Sequence, residues 1–229
     1  MTPGDAACAV FFSGGKDSML ALDRSLRRGA SIRTLVTLYD EASQRVRFHG
    51  TPVGVMRAQA DALGLPSALH ATTPAAFEQT LLAALGALRD QGVTKLIFGD
   101  IHLADVRAWY EERVRATGLD YEEPLWGEDP GRVAAEVIER GYEAIITCIE
   151  TATTEPEWLG QTLSAPLLQR FAAKGADLCG ERGEYHTFVV NGPLFSSRVP
   201  VSLGAIHEES GFRQIDTVLS PTVSSPHTA

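Results

Sequence analysis

Short apolar runs alternate with amphipathic segments through the first half of the chain. Ala7–Phe12 is apolar and β-prone, and Asp17–Arg28 follows with helical spacing before Gly29. Ile32–Tyr39 is a second strand-like run. Pro52–Leu63 has helical spacing and stops at Gly64, and Ser67–His70 reads as a short strand. Pro74–Gln91 is helical, with proline in its first turn and Gly92 past its end. Lys95–Phe98 is another strand, and Ala104–Thr117 another helix before Gly118. The alternation predicts an α/β fold with a doubly wound, mainly parallel sheet. Ligands on such sheets lie outside the carboxyl ends of the strands. Ser13 follows the first strand and Gly99-Asp100 a later one, so both fall on that rim.

The pattern changes after Gly127-Glu128-Asp129-Pro130-Gly131, a concentrated turn signal. A domain boundary is placed there, giving a first domain over 1–126 and a smaller α+β domain over 127–219. Asp129 is positioned to cap a helix Arg132–Arg140, with Pro130 at its start. Tyr142–Ile149 reads as a strand, Thr151–Pro156 as a polar loop and Ser164–Lys174 as a helix. Phe188-Val189-Val190, the Asn191-Gly192 turn and Leu194-Phe195 predict a hairpin. Phe212–Leu219 is a last strand, and the Ser-, Thr- and Pro-rich Ser220–Ala229 a disordered tail.

Composition narrows the function. The 229 residues are 44% hydrophobic and 21% charged, as in an ordinary globular protein. A net charge of −9 disfavours a broad nucleic-acid or anionic membrane surface. It leaves room for a local basic cleft, for which Lys16, Arg57, Arg107 and Arg113 are candidates. Cys8, Cys148 and Cys179 are widely spaced and form no C-x-x-C pair, which argues against a zinc knuckle or dithiol centre. Met1–Asp5 lacks the start of a signal peptide, and no run reaches the ~18 apolar residues of a membrane span. A cytoplasmic location follows as the expectation.

The chemistry concentrates in Ser13-Gly14-Gly15-Lys16-Asp17-Ser18, directly after the first strand. Gly14 and Gly15 let backbone N–H groups approach an anion, and a helix N-terminus points at the same place. Lys16 adds charge, Ser13 and Ser18 add hydroxyls, and Asp17 is suited to hold Mg²⁺ or to brace the loop. Neither the Walker spacing nor the dinucleotide G-x-G-x-x-G spacing is present. A second constellation, Glu181, Glu184 and His186, lies between glycines and ahead of a strand. Such a group can orient a nucleophile, bind a metal or shuttle a proton, or simply form a solvated loop. Glu184 and His186 are two apart, so on extended backbone they share a face. Asp100 reads as a nucleotide or Mg²⁺ contact or as a helix cap. His49 reads as a pocket residue or a surface turn next to the arm Arg45–Phe48, and Trp126 and Trp158 as packing.

The Ser13–Ser18 hexapeptide resembles the pyrophosphate loop of the N-type ATP pyrophosphatases, which split ATP between its α- and β-phosphates. Phe98-Gly99-Asp100-Ile101, Pro124-Leu125-Trp126 and Gly180-Glu181-Arg182-Gly183-Glu184-Tyr185-His186-Thr187 follow in order. Together they make the chain similar, over about residues 8–200, to the diphthine–ammonia ligase family. That resemblance implies an adenine-nucleotide α-hydrolase-like fold, with ATP and Mg²⁺ as cofactors. It implies adenylation of a substrate carboxylate, release of pyrophosphate and displacement of AMP by ammonium-derived ammonia. The carboxylate would be protein-bound diphthine on translation elongation factor 2, or a small molecule, as in corrinoid metabolism.

In residues, the resemblance implies nucleotide binding by Ser13, Gly14, Gly15, Lys16, Asp17, Ser18, Gly99 and Asp100. Asp17 and Asp100 would hold metal. Lys16, Asp17, Glu184 and His186 would be catalytic, and His49, Arg107, Arg113, Glu181, Glu184 and Thr187 would face the substrate. Many family members carry Glu where this chain has His186, which leaves the substrate open. A tRNA thiolase or lysidine-type synthetase would want a basic surface or a cysteine pair, and neither is visible. A non-catalytic ATP sensor stays open as a rival, and a homo-oligomer is compatible with the sequence.

Overall fold

The computed structural model describes residues 6–47 and 49–220. Met1–Asp5, Phe48 and most of the tail expected over 220–229 lie outside the described residues. The first half forms β1 (Ala7–Phe11), α1 (Lys16–Arg27), β2 (Ser31–Asp40), β3 (Arg45–Val46), α2 (Val53–Leu63), β4 (Ser67–Thr72), α3 (Phe77–Asp90), β5 (Lys95–Ile97), α4 (Ala104–Ala116) and β6 (Asp120–Glu122). Strands β4, β2, β1, β5 and β6 lie side by side and parallel. The mainly parallel α/β sheet expected from the alternation is therefore present.

Strand order reverses between β1 and β5, the place where such sheets open a crevice. The Ser13–Ser18 loop leaves β1 on one side of it, and Gly99-Asp100 follows β5 on the other. β2 outruns β1: Phe11 pairs with Val36, while β2 continues to Asp40 and pairs antiparallel with β3. That overhang carries the segment after β3, with His49, over the rim.

Side chains alternate between two apolar layers, as the pleat requires. Ala9, Val36, Leu38, Leu96 and Phe98 face α3 and α4 through Leu81, Leu85, Leu88 and Val114. Cys8, Val10, Leu35 and Ile97 face α1 and α2 through Met19, Leu20, Leu22, Val55 and Met56. The second layer does not stop at the first sheet. It continues into Ile146, Trp158, Phe171, Tyr185, Phe188 and Val190 of the second half.

The second half forms α5 (Pro130–Glu139), β7 (Glu143–Glu150), α6 (Ala165–Lys174), β8 (Tyr185–Asn191), β9 (Val201–Glu209) and β10 (Phe212–Leu219). Its strands make an antiparallel sheet in the order β8-β7-β10-β9. α5 starts at Pro130 with Asp129 as its cap, whose Oδ1 accepts from Arg132 N at 2.9 Å. The expected hairpin at Asn191-Gly192 is not formed. β8 pairs with β7, and Ser196 N and Oγ both donate to Ala62 O, which draws the following loop onto α2. The hairpin is instead β9–β10, turned by Ser210 and Gly211 with φ of 51° and 84°. No helix among the described residues is long and apolar enough to cross a membrane.

Charged groups fasten α1 to α5 behind the loop. Arg24 grips Glu128 through both terminal nitrogens, reaches Glu136, and donates to Pro124 O at 3.0 Å. Arg140 returns the contact from α5 to the buried Asp23 at 3.0 Å. Because the Arg24 side chain is 12% exposed, its loss leaves Glu128 without its ion partner and Glu136 with Arg140 alone in a partly dry interface. Arg24→Leu is expected to lower stability by about 2 kcal/mol. Urea unfolding monitored at the tryptophans measures it, and an unchanged midpoint would show the network to be idle.

Candidate functional site

The rim crevice is a cleft of about 740 Å³ lined from both sheets. β1 delivers the loop, and α1 begins at Lys16 with Gly15 as an extended N-cap and no side-chain cap. Its N-terminal turn carries no side-chain cap from Gly15, a geometry that suits the anion expected at Gly14-Gly15. Gly14 has φ of 80°, and a Cβ there would lie 2.7 Å from Gln59 Oε1. A Cβ on Gly15 would lie 3.0 Å from Thr187 O and from the His49 ring. Ser13 Oγ and Ser18 Oγ are 3.3 Å apart, and Ser18 Oγ donates to Gly15 O at 3.1 Å.

β8 completes the loop from the other side. Val189 N donates to Gly14 O at 2.9 Å, and Lys16 N donates to Thr187 Oγ1 at 3.0 Å. The Gln59 amide on α2 donates to Gly14 O at 3.0 Å and to Val189 O at 2.6 Å. Lys16 Nζ, 2% exposed, bonds Asp17 Oδ2 at 2.7 Å and Cys179 O, and lies 4.8 Å from the centre of the Tyr185 ring. Burial, the largest influence, works against its charge, but Asp17, Tyr185 and Cys179 together outweigh it and hold the pKa above the ordinary lysine value.

Carboxylates gather around the crevice. Asp17 Oδ1 is buried without a hydrogen-bond partner among the described residues. Burial pushes Asp100 up to about 7, with Glu123, Glu181 and Asp17 adding repulsion. An orphaned carboxylate oxygen and crowded acids suit a cation, and two carboxylates completed by phosphate oxygens are a usual Mg²⁺ arrangement. The residues Asp17 and Asp100 thus fit the expected metal.

For Asp100 a folded pKa above the unfolded one means that its contribution to stability is present below about pH 4 and lost as pH rises through about 7. Asp100→Asn is therefore expected to raise the urea midpoint more at pH 8 than at pH 5. Equal gains at both pH values would remove the charge crowding as the cause.

The late segment folds over the lysine. Glu181 accepts from Ile101 N and from His102 N at 2.8 Å, clamping the loop after β5. His102 sits between Asp177, 2.6 Å from Nε2, and Glu181, 3.0 Å from Nδ1. His49 and His186 stack with ring centres 4.6 Å apart. Burial lowers His49 to about 4, opposed by its contact with Thr187 O and aided by Lys16. Burial, His49 and Lys16 bring His186 well below the ordinary value. Both rings are neutral at neutral pH. The far wall is aromatic, from Phe11, Phe77, Trp109 and Tyr110.

The expected residues divide as follows. Ser13, Lys16, Asp17, Ser18, Gly99, Asp100, His49, Glu181, His186 and Thr187 all line this cleft, and Gly14 and Gly15 form the loop's backbone beneath it. Glu184 does not join them. β8 starts at Tyr185, so the shared-face argument for Glu184 and His186 fails at the turn through Gly183, whose φ is 97°. Glu184 Oε1 instead accepts from Asp177 N at 3.0 Å, and the residue borders a separate cavity.

Arg107 is drawn away by Glu123 at 3.1 Å and stacks on Trp126, while Arg113 pairs with Glu78 at 2.9 Å and covers Trp109. Arg57 is exposed on α2 and lines neither cavity. Trp158 is fully buried packing. Residues not anticipated are Gln59, His102 and the aromatic wall. Val106, Trp109 and Tyr110 at i, i+3 and i+4 were a readable helical face, whereas Gln59 and His102 carry no local signal.

Residues 6–121 match the family model of the diphthamide synthase N-terminal domain, and residues 129–219 that of its C-terminal domain. A diphthine–ammonia ligase of Rattus norvegicus is 34% identical over 97 residues, covering 40% of this chain and 36% of the relative. One of Danio rerio is 30% identical over 97 residues, covering 40% and 38%. The alignments thus span well under half the length of these curated relatives. A crystal structure of a predicted tRNA methyltransferase subunit from Methanocaldococcus jannaschii aligns over 86% of this chain and 100% of its own, at 16% identity and a TM-score of 0.48.

Proposed function

Because the chain belongs to the diphthamide synthase family, we propose that it is an ATP-dependent, AMP-forming amide ligase. The observation that carries this reading is the meeting of the Ser13–Ser18 loop with Glu181, His186 and Thr187 in one cleft. Its volume, about 740 Å³, lies in the upper part of the usual small-molecule range of roughly 300–1,000 Å³. That suits a nucleotide together with a second reactant.

A carboxylate oxygen of the acceptor would attack the α-phosphorus as the bond to the β-phosphate oxygen breaks. The electron pair leaves with pyrophosphate, and the loop N–H groups and Lys16 stabilise the charge that develops there. Mg²⁺, held by Asp17 and Asp100, would supply further charge neutralisation at the phosphates. Ammonia then attacks the acyl carbon of the acyl-adenylate to form a C–N bond, the C–O bond breaks with its electron pair leaving on AMP, and a primary amide and a proton result. His49 and His186, neutral beside Lys16, are hydrogen-bonding groups suited to orienting the acid rather than to carrying charge. Gln59 and Thr187 keep the loop in its binding shape before ATP arrives, which spares ordering cost at the moment of reaction.

The acceptor proposed from the family is diphthine on translation elongation factor 2. The protein is incubated with Mg-ATP, ammonium and diphthine-bearing elongation factor 2, beside a host extract and the Asp17→Asn variant. Acceptor-dependent AMP and pyrophosphate, lost in the variant, are expected. ADP as product would overturn adenylation. ATP binding without turnover under any condition would favour the non-catalytic sensor.

A further inference from the structure

Asp100 reaches the cleft from a turn over residues 99–102 that belongs to no helix or strand. One side of this turn rests on α1: the space that a Gly99 side chain would need is taken by the main chain of Asp17 and Ser18. Ile101 O accepts from Gly127 N at 2.8 Å. The main-chain donors of the turn go to one carboxylate. Glu181 accepts from Ile101 N through Oε1, and from His102 N through Oε2 at 2.8 Å. These N–H groups belong to consecutive peptide units, and the first unit contains the Asp100 carbonyl. A planar peptide held at its N–H is held at its carbonyl too. The bond to Ile101 N therefore sets the direction from which the Asp100 side chain leaves the main chain.

Glu181 is itself braced. Its side chain is 11% exposed, and Nδ1 of His102 stands 3.0 Å from Oε2. The other ring nitrogen of His102 meets the buried Asp177 at 2.6 Å. Asp177 is fixed in turn, because its Oδ1 accepts from Cys179 N at 2.8 Å and its own N donates to Glu184 Oε1 at 3.0 Å. Asp17 and Asp100 line the cleft from the two sides of the strand-order reversal. Mg²⁺ tolerates little departure from octahedral geometry, so two carboxylates that share it must keep their separation. Asp17 is set by α1 and by its bond to Lys16. Asp100 stands on an irregular turn and needs the hold from Glu181.

We propose that Glu181 is a positioning residue for the metal site: it holds the turn over 99–102 so that Asp100 meets the Mg²⁺ of Mg-ATP, with His102 and Asp177 as its brace. The inference rests on the Mg-ATP part of the ligase reading and is independent of the amidation step.

α,β-Methylene-ATP, which α–β cleavage cannot consume, is the probe. Titration calorimetry gives its affinity for the full chain in excess EDTA and in Mg²⁺. The ratio of the two affinities reads the metal site, and the EDTA value reads the Ser13–Ser18 loop. In the parent, Mg²⁺ is expected to tighten binding at least tenfold. Glu181→Gln keeps one acceptor oxygen and turns an NH₂ toward the other N–H, so the ratio should fall below about threefold, against a loss of about twofold in EDTA. His102→Ala, which leaves Glu181 in place without its brace, should lower the ratio at least threefold, and it decides the matter if Glu181→Gln does not fold. In an Asp100→Asn background, Glu181→Gln should lower the ratio no further, since a residue acting through Asp100 has nothing left to act on.

A folded Glu181→Gln or His102→Ala protein with the parent ratio overturns the proposal, as does a parent whose binding ignores Mg²⁺. Equal losses with and without Mg²⁺ would make Glu181 a support of the loop alone and overturn it too. So would a further fall of the ratio in the Asp100→Asn background, because Glu181 would then reach the metal by a route of its own. AMP release plays no part in these titrations. A parent that binds the Mg²⁺ complex as expected but makes no AMP with any acceptor removes the ligase reading and leaves the role of Glu181 standing.

Discussion

Lys16→Met is expected to lower AMP formation by roughly a hundred- to a thousandfold, the loss seen when one preorganised donor at a developing charge is removed. Lys16 is the cation closest to the loop, and it is already aimed by Asp17, Cys179 O and Tyr185. Methionine fills nearly the same space without the charge, so packing against Tyr185 is kept. It leaves the Cys179 carbonyl and the Asp17 carboxylate without their donor, a stability cost of about 2 kcal/mol. The two effects separate in the experiment: single-turnover AMP release at saturating ATP reads the chemistry, and urea unfolding reads the fold. A folded Lys16→Met protein that releases AMP at the parent rate would exclude Lys16 from the reaction.

Gly99→Ala is expected to weaken ATP binding by at least tenfold and to cost about 2 kcal/mol of stability, as overpacking of a tight backbone contact does. A Cβ on Gly99 would lie 2.8 Å from Asp17 C and from Ser18 N. Those are backbone atoms of the first turn of α1, not the end of a side chain that can swing away. Either the loop after β5 retreats, carrying Asp100 with it, or the N-terminus of α1 shifts and its N–H groups miss the phosphates. Titration with a non-hydrolysable ATP analogue measures the first effect and thermal unfolding the second. Parent-like affinity would mean that the two sides of the crevice are not in register as described.

The parts of the site that were legible are those with local chemistry. Ser13–Ser18 announces itself because glycine, lysine and hydroxyl residues directly after an apolar run have few other uses. Asp129 with Pro130 marks a helix start for a similarly local reason. The missing parts depend on partners far away in the chain. β9 is exposed along almost its whole length, so Val201–Glu209 has no buried face to impose a period of two. β6 is too short for any period and exists because β5 offers it an edge, whereas β3 is the expected arm Arg45–Phe48, of which Arg45 and Val46 pair with β2. Asn191-Gly192 is a good turn sequence that lost to pairing of β8 with β7 and to the tie between Ser196 and Ala62. His102 gains meaning only from Asp177 and Glu181, some seventy to eighty residues later. Glu184 was misplaced because the strand begins one residue after it.

One contact has a bearing on how the chain can be divided. The Gln59 amide joins Gly14 O to Val189 O, and Val189 N and Thr187 Oγ1 reach the same loop. Modularity in sequence is therefore not modularity in space. A fragment ending near residue 126 would contain every glycine, serine and lysine of the Ser13–Ser18 loop, yet its Gly14 carbonyl would keep only the Gln59 donor and its Lys16 would lose Cys179 O and the Tyr185 ring. Engineering that transplants the loop needs to carry β8 along with it, or to rebuild its three hydrogen bonds from another strand.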